Sequence, residues 1–295
     1  MTPTEKIAVG SIVVGLAVLG LKTLAWWVTG SVALLSDAME SIVNVATAVA
    51  AIVAIRVAQR PPDHGHPYGH HKAEFFSAVL EGVMIIIAAL LILRQAWAAF
   101  QAPQLPEAPV LGLAINGFAA VLNALWAGLL IRRGAALKSP ALVADGHHLM
   151  TDVVSSIGVI FGVVLVLMTG WAVLDPVLAG LVSLNILWSG WKVVTKSLSG
   201  LLDEAVAPET LEQIRATISA TADGAIEAHD LRTRHAGAMT FIDFHLVVDG
   251  QTPVSTAHDI CDRIEQALKR LLPEAQITIH VEPEDKAKHS GILVL

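Results

Sequence analysis

Six membrane-spanning helices followed by a small α/β domain are the architecture this sequence predicts, and three observations carry the prediction. Of 295 residues, 54% are hydrophobic and only 15% charged, where a soluble domain carries about 25% charged residues. Six stretches, 7–28, 32–57, 74–100, 109–131, 141–168 and 174–198, are apolar over the ~20 residues needed to cross a bilayer. The charge is also uneven. Residues 203–295 hold 16 of the 26 acidic side chains but 8 of the 19 basic ones. An acidic, water-soluble domain with a short C-terminal tail therefore follows a membrane domain of residues 1–202. Nucleic acid is excluded as a partner, because it requires a basic face.

The first segment, close to Met1, lacks a strongly basic start and a clear cleavage site, so it reads as a retained helix rather than a signal peptide. Arg56, Arg60 and Lys72 bracket the loop after the second segment, and Arg132, Arg133 and Lys138 fill the loop after the fourth. The connections WWVTGS, QAPQLPEAP and TGWAVLDP carry no basic residue. Positive charge collects on the cytoplasmic side of a membrane, which predicts both termini in the cytoplasm of a multi-pass protein, in a bacterial-type inner membrane. Lys22 and Arg94 fall inside segments and are expected to snorkel to the outer surface. In the tail, 208–221 reads as a helix with Pro208 in its first turn. HDLRTRHAG and TFIDFHLVVDG alternate like two strands around a turn containing Gly237. Ile260, Ile264, Leu268 and Leu271 mark a helix over 255–272, and QITIHVEP closes as a third strand. Helix–strand–strand–helix–strand fits a small open-faced sandwich.

The chemistry lies in polar groups that an apolar chain has no packing reason to contain. LVADGHHLMTD (142–152) and LLSDAMESIVN (34–44) align end to end, Asp37 on Asp145, Glu40 on His148 and Asn44 on Asp152. Residues four apart share a helix face, so Glu40 with Asn44 and His148 with Asp152 each form a pair. Two facing pairs would give oxygen and imidazole donors for a divalent cation. Each ionisable group at mid-membrane costs ~2.5–3.5 kcal/mol, a cost that a bound cation offsets. Because imidazole must lose its proton to bind metal, metal and proton would compete there. The plain alternative is that these groups hydrogen-bond helices together. Asp37 and Asp145, one turn earlier, read as structural. Asp63, His64, His66, His70 and His71 crowd the loop RPPDHGHPYGHHK, stiffened by Pro61, Pro62 and Pro67; a defined metal site and a merely solvated histidine tract both fit. His229, His245, His258, His280 and Glu282 in the tail could converge on a metal or simply face water. The single cysteine, Cys261, leaves no disulfide framework within the chain and no Cys-rich metal site.

Taken together, these motifs resemble the cation diffusion facilitator family over nearly the whole chain. The resemblance implies six membrane helices, a metallochaperone-like αββαβ cytoplasmic domain, a homodimer, and exchange of divalent metal for protons rather than enzymatic turnover. It implies a transport site from the second and fifth helices. His148 and Asp152 keep the family's fifth-helix pattern, whereas Glu40 and Asn44 depart from its second-helix pattern of (Asp or His)-x-x-x-Asp. It assigns Asp63, His66 and His70 to a loop metal site, Lys72 and Asp203 to a charge pair at the membrane–tail junction, and His229, His245, His258, His280 and Glu282 to a cytoplasmic metal site. His64, His71, His147, His235 and His289 receive no role. The implied cargo is a divalent transition metal, zinc or iron foremost, with protons as counter-ion and metal as regulator. The neutral amide of Asn44 removes one negative charge and brings harder ions, such as manganese, into view. Competing readings are a monovalent-cation/proton exchanger on the same scaffold, a membrane-anchored metalloenzyme and a non-transporting metal sensor.

Overall fold

The computed structural model describes residues 1–29, 32–102, 110–288 and 291–293. The chain divides into two compact units, Met1–Leu198 and Ser199–Leu295. The first holds six long helices: α1 (Pro3–Thr29), α2 (Val32–Ala58), α3 (Ala73–Gln101), α4 (Val110–Ala136), α5 (Pro140–Thr169) and α6 (Leu174–Leu201), the last running into the second unit. Their bounds follow the six apolar stretches, with α4 continuing five residues further. Among the described residues, Pro3–Leu24, Ala73–Gln101, Ala114–Ala136 and Pro176–Leu201 are long and apolar enough to span a membrane, and α2 adds the shorter apolar stretch Asn44–Ala58. Val13, Leu16, Val53, Leu91, Leu125 and Phe161 are exposed on their helices. Apolar surface of this kind is what hydrocarbon chains cover. This part of the chain is an integral membrane domain.

Local chemistry sets the ends of α5. Ser139, in extended backbone, accepts from the Leu142 N–H, Pro140 occupies the first turn, and Gly170 closes the helix at φ +73°. The Ser139 hydroxyl also donates to the Glu74 carboxylate at the start of α3. Small residues let the helices approach. A Cβ on Gly146 would meet the Ile131 side chain at 2.7 Å, so α5 lies close against α4 just where its polar residues begin. Arg94 is exposed as expected, but Lys22 is only 3% exposed. Its helix packs against α2 and α4, and Lys22 is turned into the protein instead of snorkelling outward, since shelter among helices is less costly to an ammonium than hydrocarbon.

The second unit runs α7 (Pro208–Thr221), β1 (Glu227–Ala236), β2 (Met239–Val248), α8 (Val254–Leu271), β3 (Ala275–Pro283), a single 3₁₀ turn and a two-residue β4 (Ile292–Leu293). The αββαβ order matches the sequence reading; β4 is an addition. The sheet order is β3-β2-β1-β4, with β2 and β3 parallel and the other pairs antiparallel. Gly237 takes φ +59° in the β1–β2 turn. α7 and α8 cover one face, where Ile214, Ile218, Ile242, Phe244, Leu246, Ile264 and Leu268 form a closed core. Burial of each such side chain contributes ~1.5–3 kcal/mol. Phe244→Ala is expected to destabilise this unit by ~3–5 kcal/mol through cavity formation; faster amide exchange throughout α8, with α5 unchanged, is the measurement that checks it.

Candidate metal centres

Three polar clusters occupy the positions the sequence points to. In the membrane unit, Asn44 on α2 meets His148 and Asp152 on α5. Their exposures are 5%, 4% and 5%. His148 Nε2 lies 2.8 Å from Asn44 Oδ1, and Asn44 Nδ2 donates to Asp152 Oδ2. One amide therefore bridges both members of the α5 pair. Thr47, one turn on, donates to the Asn44 carbonyl at 3.0 Å. The three groups supply one imidazole nitrogen, one amide oxygen and a carboxylate, a donor set that suits a divalent cation. Glu40 and Asp37 have side chains outside the described residues. Asp145 is buried one turn before His148 and accepts from the Ser11 hydroxyl of α1 at 2.5 Å; Ser11 in turn accepts from the indole N–H of Trp126 on α4 at 2.8 Å. Asp145 thus has a structural network of its own that ties three helices together.

The loop cluster is exposed. Asp63 Oδ1 lies 3.3 Å from His66 Nδ1 and Asp63 Oδ2 lies 3.4 Å from His70 Nε2. Asp63 Oδ1 also accepts the backbone N–H groups of Gly65 and His66 at 2.9 and 2.7 Å. The His66 backbone bond above all holds the Asp63 carboxyl below its ordinary range. A lowered carboxyl contributes its ordering effect above the usual carboxylate range and loses it as pH falls through the lowered value. One donor atom each from Asp63, His66 and His70 lie within 4.8 Å of one another, so the three can hold one ion.

In the tail, strand register lines up three histidines. His229 on β1 is paired with His245 on β2, which is paired with His280 on β3. Adjacent rings are 5.4 and 5.0 Å apart. Glu282, two residues along β3 and so on the same face, reaches all three. Its oxygens lie 3.1 Å from His229 Nε2, 3.2 Å from His245 Nδ1 and 3.7 Å from His280 Nε2. Buried Glu227 faces His229 Nδ1 at 2.9 Å and also accepts the Lys288 backbone N–H. His229 thus stands between two carboxylates, Glu227 at Nδ1 and Glu282 at Nε2, and a carboxylate behind the ring is the usual orienting partner of a metal-binding histidine. His258 is not brought to this face within one chain. It is exposed on α8, which covers the opposite side of the sheet, and lies 3.7 Å from Asp262. Cys261 is buried, and burial pushes its thiol up, away from the thiolate that binds metal.

Asp230 is a candidate ligand the sequence reading passed over. With His229 and His245 it forms a group whose donor atoms lie within 4.8 Å. Strand alternation places it on the wrong face, but β1 carries an irregularity between His229 and Arg232, and Asp230 takes φ +53°. A bulge of this kind re-aims a side chain. Lys288 Nζ at 2.6 Å holds the Asp230 carboxyl below its ordinary range. Asp203, at φ +62°, accepts from Arg234 at 3.2 Å, and Lys72 stands at the start of α3.

Residues 8–202 match the cation efflux transmembrane domain, and residues 206–284 match the cytoplasmic domain of cation efflux proteins. The chain is 42% identical over 281 residues to an uncharacterized transporter of Synechocystis sp., covering 95% of this chain and 91% of that protein. It is 32% identical over 276 residues to the cation-efflux pump FieF of Pectobacterium atrosepticum, covering 94% and 91%. Among solved structures, the zinc form of CzrB shares 52% identity over 29% of this chain and 98% of that one, with a TM-score of 0.28.

Proposed function

The chain belongs to the cation diffusion facilitator family of cation-efflux transporters, and from that premise we propose that it expels a divalent transition metal, zinc or iron foremost, from the cytoplasm in exchange for protons. The observation that carries this reading is the buried group Asn44, His148 and Asp152, which joins α2 to α5 by side-chain donors alone. Metal bound there displaces the proton or hydrogen bond that each donor otherwise holds. Protons re-enter His148 and the carboxylates as metal leaves outward. Glu40, one turn before Asn44, is assigned as the fourth ligand.

The remaining assignments rest on the same premise. Asp63, His66 and His70 hold a second metal in the loop. His229, His245, His280 and Glu282 hold a regulatory metal in the tail, and the exposed His258 is available to a second copy. The protein acts as a homodimer with both termini in the cytoplasm, stabilised at the junction by Lys72 and Asp203. Metal in the tail regulates transport to the extent that it binds the transport conformations unequally.

The deciding experiment is metal flux into vesicles holding the full chain, across zinc, iron, manganese, cobalt, nickel, cadmium and sodium, with internal pH recorded. Metal-dependent proton movement is expected. Sodium-driven proton movement without metal dependence would instead identify a monovalent exchanger, the reading that the neutral Asn44 favours. For the tail, Glu227→Gln is expected to weaken metal binding about 10–100-fold, the usual effect of losing an orienting carboxylate. Titration against a chelating dye, in a His148→Ala, His70→Ala background, isolates that site.

A further inference from the structure

Glu81 belongs to none of the three clusters. It sits on α3 inside the span Ala73–Gln101 and is 0% exposed. Among the described residues, neither of its carboxyl oxygens has a hydrogen-bond partner. Its surroundings are closed by packing. The neighbouring Gly82 lets α6 come so near that a Cβ there would meet the Val194 and Val193 side chains at 2.7 and 3.2 Å. A Cβ on Gly190 of α6 would meet Ile85 and Ile86 of α3 at 2.9 Å. One turn back, Ala78 packs with Ala144 of α5 and Val193 of α6. The carboxyl group is therefore enclosed where α3, α5 and α6 meet.

Among the described residues, the charges around it offer no compensation; α2 also packs against α3, and its described charged side chain, Arg56, is engaged with Glu5. From α5, the negative charge of Asp145 acts on Glu81 and repels it, and His148 follows one turn later, engaged with Asn44 of α2. On α3 itself, the Ser77 hydroxyl acts on Glu81 as a donor too poorly placed to complete a hydrogen bond, and Glu74 accepts from Ser139. On α6, Lys192 lies over the Trp188 ring, and the charge of Lys196 acts on His147. An ionised carboxylate that, among the described residues, has no completed hydrogen bond and no counter-charge is not tolerated in such a place. Among the described residues, Glu81 belongs to no converging group of three His, Cys, Asp or Glu ligands. A proton needs only one oxygen.

We propose that Glu81 is a proton-binding site of the exchange cycle, protonated while enclosed between α3, α5 and α6 and releasing its proton to water when those helices part. This inference rests on the exchange reading above and adds to it a proton carrier separate from the metal ligands.

The test uses the full chain in proteoliposomes with a zinc gradient, recording metal entry and internal pH together for wild type, Glu81→Gln and Glu81→Asp. Each coupled proton steepens the pH dependence by about tenfold per pH unit. Glu81→Gln is expected to lower the protons moved per metal ion and to flatten the pH profile by that one step, whatever its absolute rate; Glu81→Asp is expected to keep both. An unchanged ratio and profile in Glu81→Gln, with wild type still coupled, overturns this inference and leaves metal/proton exchange standing. Wild type moving zinc without protons overturns the exchange reading and this inference with it. Should Glu81→Gln fail to fold, infrared spectra of wild type and Glu81→Asp decide. A protonated-carboxyl band that shifts between the two supports the assignment, and a band identical in both overturns it.

Discussion

Alanine at His148 or at Asp152 is expected to reduce proton-coupled metal uptake in proteoliposomes to the level of protein-free vesicles while the dimer and the tail fold survive. The size of the effect follows from burial. Both side chains are almost wholly enclosed, and both lean on Asn44. Removing one member of a buried charged network costs ~3–5 kcal/mol, which at about 1.4 kcal/mol per tenfold is about two to three and a half orders of magnitude in the equilibrium that the network supports. Serine or asparagine at 152 keeps a hydrogen bond to Asn44 but not the charge, so these variants separate helix gluing from metal binding. Survival of transport in Asp152→Asn would mean that the cluster only joins α2 to α5. Size-exclusion chromatography of each variant distinguishes lost ligation from lost assembly.

Asn44→Asp is expected to change which metal is carried. The amide donates to Asp152 and places its oxygen beside His148. An aspartate in the same place replaces that donor with a second negative charge facing Asp152. Two unit charges about 4 Å apart interact by ~4 kcal/mol at an effective dielectric of 20, repulsion that only a bound cation relieves. Divalent ions gain from this more than monovalent ones do. The variant is therefore expected to bind divalent metal more tightly, by at least about tenfold, and to discriminate more sharply against sodium. Competition of each metal against zinc uptake reads this directly. An identical competition profile in wild type and variant would remove Asn44 from the ligand set.

Much of the molecule is legible along the chain because it is local. Six apolar stretches of bilayer length become α1 to α6, since apolar residues in sequence suffice to specify a span. The i, i+4 spacing of His148 and Asp152 places them on one face of α5 before any partner is known. In the tail, alternation in TFIDFHLVVDG places Phe244 in the core and His245 on the other face. The two-residue step from His280 to Glu282 puts both on one side of β3.

What no stretch of sequence contains is the register between distant elements. His229, His245 and His280 become neighbours only because β1, β2 and β3 pair in one particular offset. Asp230 joins them because a bulge turns it out of the alternation that the sequence suggests. Lys22 turns inward and Glu81 loses all contact with solvent because of which helix faces meet, through glycines such as Gly82 and Gly190. Periodicity tells a side chain which face of its own element it occupies. What that face meets is set by packing energy summed over several elements at once, and the cost of a buried charge or the convergence of ligands is a property of that meeting.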